Sequence, residues 1–267
     1  MQHILGLVRR CVEDYHMIEA GETVAVGVSG GKDSLLTLTA LARLRAFYPL
    51  PFQVEAITLE TGMPGMDFTP VADYCAALDV PYTRISVPVY DIVFNERKEK
   101  NPCSLCAKLR RGSLHTALTE RGIHKIALGH HYDDVIETIL MGMLWGAQVQ
   151  TMMPKLHSTN FPGMELIRPL YLIREDDIKA WRDYNGLHFI QCACKFTDSC
   201  TTCRGEGNQE TRSKRAEVKE LIRTMKKTNP DVEQHIFRSV ENVCLDTVIA
   251  YKQGGKKISF LDGYDGE

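Results

Sequence analysis

Apolar and polar positions along the chain follow two periods, and they change places in a regular order. Residues 3–18 carry Ile4, Leu5, Leu7, Val8, Cys11, Val12 and Tyr15 at helical spacing, which predicts an amphipathic helix packed on a core. Val24-Ala25-Val26-Gly27-Val28 is a continuous apolar run, as expected of a strand buried on both faces. Leu35 to Ala42 then reads as a helix, Phe52 to Leu59 as a strand, 70–79 as a short helix and Tyr82 to Val87 as a third strand. A helix over 103–121 and a fourth strand, Lys125 to Leu128, come next. Arg174 to Ile178 opens another helix, and 208–228 and 231–243 are helical in pattern, parted by Asn229-Pro230-Asp231. Strand, helix, strand, helix at this spacing predicts an α/β fold on a parallel sheet, whose ligands bind beyond the C-terminal strand ends. The expected organisation is an N-terminal helix (1–20), a main α/β domain (21–190), a cysteine-containing segment with C-terminal helices (191–253), and a loosely held Gly-rich tail (254–267).

Composition narrows the class. With 267 residues, 44% hydrophobic and 25% charged, the chain has enough apolar surface for one sizeable core. No apolar stretch is long enough to span a membrane, and the N-terminus lacks a signal-peptide core, so a cytoplasmic protein without membrane contact is expected. The formal net charge of −2 gives no global sign of a nucleic-acid partner. Locally the balance differs: between Arg204 and Lys227 there are eight Lys or Arg against four Asp or Glu. Arg212, Lys214, Arg215, Lys219, Arg223, Lys226 and Lys227 are expected to form a basic face for RNA phosphates, and Lys108, Arg110 and Arg111 a second one. The competing reading of any such charge run is a solvated helix surface.

Nine cysteines are present, six of them in two groups: Cys103 with Cys106, and Cys192, Cys194, Cys200 and Cys203. In a reducing compartment such grouping favours metal or sulfur chemistry over disulfides. Cys11, Cys75 and Cys244 lie in apolar patterns and read as small buried hydrophobes.

The stretch that carries most chemistry is Ser29-Gly30-Gly31-Lys32-Asp33-Ser34, between the first strand and the helix after it. A Gly-rich turn at a helix start presents backbone N–H groups and the positive end of the helix dipole to one point, which attracts an anion. Lys32 adds a full charge. Asp33 and Ser34 are candidate helix caps, and Asp33 can also hold Mg²⁺. The Walker A run is absent. A second polar stretch, Gly129 to Thr138, follows the fourth strand. Asp133 or Asp134 can cap its helix, and Asp134 and Glu137 suit Mg²⁺ held against a triphosphate.

The first stretch resembles the SGGxDS signature of the PP-loop ATP pyrophosphatases, and GHHYDDVIET resembles the GHxxDDxxET motif of the members that modify tRNA. Arg168-Pro169-Leu170 is similar to a short element found later in the same families. The run Cys103-Ser104-Leu105-Cys106, with the stretch before the first turn, is similar to the tRNA 2-thiocytidine synthetases, the TtcA family. The likeness extends from the first helix to about Asp246. It implies a PP-loop, adenine nucleotide alpha hydrolase-like fold, with Ser29, Gly30, Gly31, Lys32, Asp33, Ser34, Thr58, Gly129, His130 and Asp133 at ATP, and Asp33 and Lys32 catalytic. It also implies a [4Fe–4S] cluster on Cys103, Cys106 and Cys192. The reaction it implies adenylates the C2 oxygen of a tRNA cytidine, position 32 in the family, and replaces that oxygen with sulfur. RNA contact is then expected at Lys108, Arg110, Arg111, Lys214 and Arg215. A cysteine desulfurase is the usual sulfur donor, and a homodimer is open. Where the family carries a second C-x-x-C, this chain has Cys192-Ala193-Cys194 and then Cys200-Thr201-Thr202-Cys203. Those four can hold zinc by themselves, and Cys103 and Cys106 can act as reactive thiols. A different tRNA base, a small-molecule adenylating ligase with a structural zinc site, and an RNA-binding protein without turnover are the competing functions.

Overall fold

A computed structural model describes residues 1–63, 65–97, 102–187 and 214–264. The chain opens with α1 (Gln2–Asp14), then alternates β1 (Thr23–Gly27), α2 (Lys32–Leu44), β2 (Gln53–Glu60), α3 (Thr69–Ala77) and β3 (Tyr82–Ser86). A π-helical segment, Asp91–Glu96, leads to α4 (Pro102–Glu120), β4 (Lys125–Ala127) and α5 (Tyr132–Gly146). β5 (Lys155–His157), β6 (Glu165–Ile167), α6 (Glu175–Tyr184), α7 (Lys214–Lys226) and α8 (Val232–Ser239) follow, then a hairpin of β7 (Ala250–Gln253) and β8 (Lys256–Ser259).

Six strands form one sheet in the order β3-β2-β1-β4-β6-β5, parallel except for β5. The apolar run of β1 is explained by burial on both faces. Val24 and Val26 belong to the large core under α1, α2 and α5, while Ala25, Ile57 and Ile126 point to the other face against Leu118 of α4. α1 packs its Ile4, Val8, Cys11 and Val12 stripe into that large core.

Several expectations are corrected. The tail from Gly254 is not a loose end over its described part, because Gly254 and Gly255, both with positive φ, make the β7–β8 turn. Cys11 and Cys75 are buried as expected, but Cys244 is exposed. β5 and β6, each three residues long, had no counterpart in the sequence pattern. β6 carries Arg168 to the same strand edge as the two glycine-bearing turns, since Ala127 and Ile167 are register partners.

Candidate active site

β1 ends at Gly27, and Gly30, at φ +81°, reverses the chain into α2. Gly31 is the N-cap and no side chain caps the helix, so Asp33 and Ser34 lie inside the first turn rather than at the cap. Ser34 instead braces the turn: its hydroxyl accepts from Ser29 N at 3.2 Å and donates to the Gly31 carbonyl at 2.9 Å. At this helix start the Gly31 N–H donates to Ser29 Oγ at a long 3.4 Å, and no side chain is seen to accept from the N–H groups of Lys32 and Asp33, the arrangement an anion completes. Lys32 Nζ lies 2.8 Å from Asp33 Oδ1 and 3.8 Å from Glu175 Oε1.

Gly129 brings the second motif against the first. A Cβ at Gly129 would stand 2.9 Å from the carbonyl carbon of Asp33 and 3.1 Å from Ser34 N. Only a glycine lets the two backbones approach this closely. His131 is the N-cap of α5, and its N–H donates to Asp134 Oδ2 at 3.1 Å. Asp133 does not cap α5. Its carboxylate accepts from Glu175 N at 2.7 Å and from Arg174 Nη2 at 3.1 Å, so it ties α5 to the start of α6. Arg174 continues to Glu233 of α8 at 2.6 Å and lies over the Tyr132 ring.

Asp134 and Glu137, expected at Mg²⁺, are both matched by cations. Arg215 reaches Asp134 and Glu137, and Lys219 reaches Glu137 at 3.3 Å and Glu175 at 3.1 Å. This also corrects the basic face, because Arg215 and Lys219 turn inward. Lys226 pairs with Glu233 at 2.6 Å, whereas Lys214, Arg223 and Lys227 are exposed, and Arg212 lies outside the described residues. Among the described residues, no group of three or more His, Cys, Asp or Glu converges as a metal centre requires. Asp33, a third exposed, hydrogen-bonds Lys32 and lies 3.9 Å from His131 Nε2, and it is the most exposed of the described carboxylates at this edge.

Burial and charge set the protonation of this edge. Burial pushes the Glu137 carboxyl up to about 7, against the pull of Lys219 and Arg215. At Glu175 burial is overridden by Lys219, Lys179 and Lys32, which bring it down to about 2. Burial and then the Arg168 charge lower His130 to about 4, so its imidazole is neutral. Four buried polar atoms here have no hydrogen-bond partner: His130 Nδ1, His131 Nδ1, Arg168 Nε and Arg174 Nε. A buried polar group without a partner is costly, and a bound polyanionic ligand would relieve it. The uncapped helix, the glycine contact and these atoms fit ATP. Thr58 does not offer its side chain, since its buried hydroxyl donates to the Val28 carbonyl at 2.7 Å. Beside it, Thr61, Met66, Phe68, Arg84 and Ser86 line a cleft at the ends of β2 and β3.

α4 joins the end of β3 to the start of β4, so it runs from the nucleotide edge back across the sheet. Its first turn contains Cys103 and Cys106. Cys192, Cys194, Cys200 and Cys203 lie outside the described residues. Lys108, Arg110 and Arg111 are exposed on the same helix.

This architecture and edge define a nucleotide-binding α/β protein of the PP-loop type, and the profile of the PP-loop domain family matches residues 7–199. A curated tRNA-cytidine(32) 2-sulfurtransferase of Verminephrobacter eiseniae is 35% identical over 237 residues, covering 88% of this chain and 71% of its own length. One from Burkholderia vietnamiensis is 37% identical over 243 residues, covering 91% and 68%. The chain belongs to this family, the tRNA-cytidine(32) 2-sulfurtransferases, within the PP-loop proteins. A solved structure, the U34-tRNA thiolase NcsA from Methanococcus maripaludis with its [4Fe-4S] cluster, shares the fold at TM-score 0.67 and 23% identity, over 89% of this chain and 78% of that one.

Proposed function

We propose that this protein is an ATP-dependent tRNA sulfurtransferase that replaces the C2 oxygen of cytidine 32 with sulfur. The observation that carries the reading is the contact of Gly129 with the backbone of Asp33 and Ser34, which joins the two nucleotide motifs at one strand edge. The base oxygen attacks the α-phosphorus of ATP and pyrophosphate leaves, so that C2 bears an O-linked AMP. A hydrosulfide then attacks C2 and loses its proton, and AMP departs with the oxygen, so that C–S replaces C–O with no change of oxidation state. Lys32 and the start of α2 stabilise charge on the phosphates, and Asp33 orients them or a Mg²⁺ ion beside them. The buried edge around His130 and Arg168 excludes water from the activated base. Cys103, Cys106 and Cys192 would hold a [4Fe–4S] cluster that supplies, when bound, an iron without a protein ligand to carry the sulfur. The upstream donor is a cysteine desulfurase, and Lys108, Arg110 and Lys214 contact tRNA phosphates. Among the described residues no helix is long and apolar enough to cross a membrane, and we place the protein in the cytoplasm.

The test is anaerobic turnover with ATP, Mg²⁺, tRNA and sodium sulfide. Equal yields of pyrophosphate and 2-thiocytidine are expected, and Cys192→Ala should lose the cluster absorption and the thiolation while ATP still binds. Pyrophosphate release that ignores tRNA would overturn the assignment.

A further inference from the structure

The nucleotide edge is closed by a helix that no motif in the sequence assigns to it. Seven charged groups and the His131 imidazole follow one another in a ring. Lys32 meets Asp33 at 2.8 Å, Asp33 lies 3.9 Å from His131, and His131 lies 3.4 Å from Asp134. Asp134 meets Arg215, Arg215 meets Glu137 at 3.0 Å, and Glu137 meets Lys219 at 3.3 Å. Lys219 reaches Glu175 at 3.1 Å, and Glu175 returns to Lys32 at 3.8 Å. The ring thus joins the first turn of α2, the start of α5, the start of α6 and the first half of α7.

We propose that Arg215 and Lys219 are positioning residues of the nucleotide site, which hold Asp134, Glu137 and Glu175 and thereby make ATP binding depend on the docking of α7. The proposal rests on reading the Ser29–Ser34 turn as an ATP site. Glu137 has a side chain only 2% exposed, and its ion pairs among the described residues are to these two cations alone. Without them Asp134 and Glu137 lose the partners that tie α5 to α7, and the start of α5 is no longer held against the turn. Lys219 also shares Glu175 with Lys32. With Lys219 gone, Glu175 draws the Lys32 ammonium toward itself and away from the ligand. The role is separable from folding, because α7 has apolar anchors of its own. Val218 and Ile222 are buried on the stripe that carries Arg215 and Lys219.

The test uses the full-length protein and ATP. In equilibrium binding, Lys219→Met should raise the ATP dissociation constant about tenfold, and Lys219→Arg should recover to within about threefold of wild type. Glu220→Gln, on the exposed face of α7, should leave the constant unchanged. Adding Glu175→Gln to Lys219→Met should recover part of the affinity by releasing Lys32, which a merely destabilised fold would not do. In the unaltered protein, ATP should slow hydrogen exchange of the amides of residues 214–226, a measurement that requires no variant. Wild-type protein that binds no ATP overturns the nucleotide reading and this one with it. ATP binding that is intact in Lys219→Met, or exchange in α7 that ignores ATP, overturns this one alone.

Discussion

The two ends of the sheet each carry a buried cluster of charge, and they behave differently. At the N-terminal strand ends, Lys125 is almost fully buried and its ammonium meets Glu22 at 2.6 Å, Glu165 at 2.9 Å and the Met17 carbonyl at 2.9 Å. Lys155 closes the set, with Glu165 at 3.3 Å and the His16 carbonyl at 2.6 Å. Every donor of Lys125 has an acceptor, and its carboxylate partners raise its pKa against the effect of burial. At the C-terminal strand ends, four buried atoms lack partners, one helix start is uncapped and Asp33 is a third exposed. Charge density therefore does not distinguish a staple from a site; an uncapped helix start beside a cluster of unpartnered buried atoms does.

The largest test of that contrast falls on the unfinished end. Asp33→Asn should lower tRNA-dependent pyrophosphate release about a thousandfold with the fold intact, since the residue is a partly exposed turn group and holds nothing in the core. A folded variant with normal release would remove this edge from the chemistry. The finished end should respond the other way. Lys125→Met leaves Glu165 and Glu22 short of a buried cation, and about 3–5 kcal/mol of stability should go while the apparent KM for ATP holds. Urea unfolding and initial rates measure the two separately.

The next effect depends on pH. His130 is held down at about 4 in the folded protein against 6.5 for a free imidazole, so the unfolded chain binds the extra proton first. Its contribution is full above 6.5 and is lost as the pH falls toward 4. His130→Asn should remove about 2–3 kcal/mol of that acid loss, read as the difference in urea midpoints between neutral and mildly acidic buffer. Glu175, held at about 2, acts in the same direction in a lower window, from the ordinary carboxylate value of 4.5 downward. The smallest expected effect is that of Gly129→Ala. Its methyl group must push the first turn of α2 aside, costing about 1–3 kcal/mol of stability and weakening ATP binding by roughly tenfold. Unchanged ATP affinity would mean that the turn yields without cost.

Much of this was legible in the sequence, for identifiable reasons. The first turn lies between a continuous apolar strand and a periodic helix, so its place at a strand edge follows from pattern alone. β5 and β6 were not legible, because three residues hold too little alternation to separate a strand from a loop. The inward turn of Arg215 and Lys219 was hidden by counting charge along the chain. The wheel of α7 contained the signal, since residues 215, 218, 219 and 222 share one stripe and Val218 and Ile222 are apolar. Asp133 or Asp134 read as the cap; Asp134 does accept from the N–H of the His131 N-cap, whereas Asp133 is a helix tie instead. Its partners, Arg174 and Glu175, are about 40 residues away and no local pattern links them.

The ring of charges also bears on the order in which the protein is made. Its first member, Lys32, leaves the ribosome about 190 residues before Lys219. At the usual 5–20 residues per second that interval is roughly 10–40 s. During it the glycine turn and α2 can form, but Glu137 and Glu175 have none of the cations of α7. A nascent chain therefore carries an open anion-binding turn beside unmatched carboxylates, and the site is completed only when α7 has been synthesised and docks.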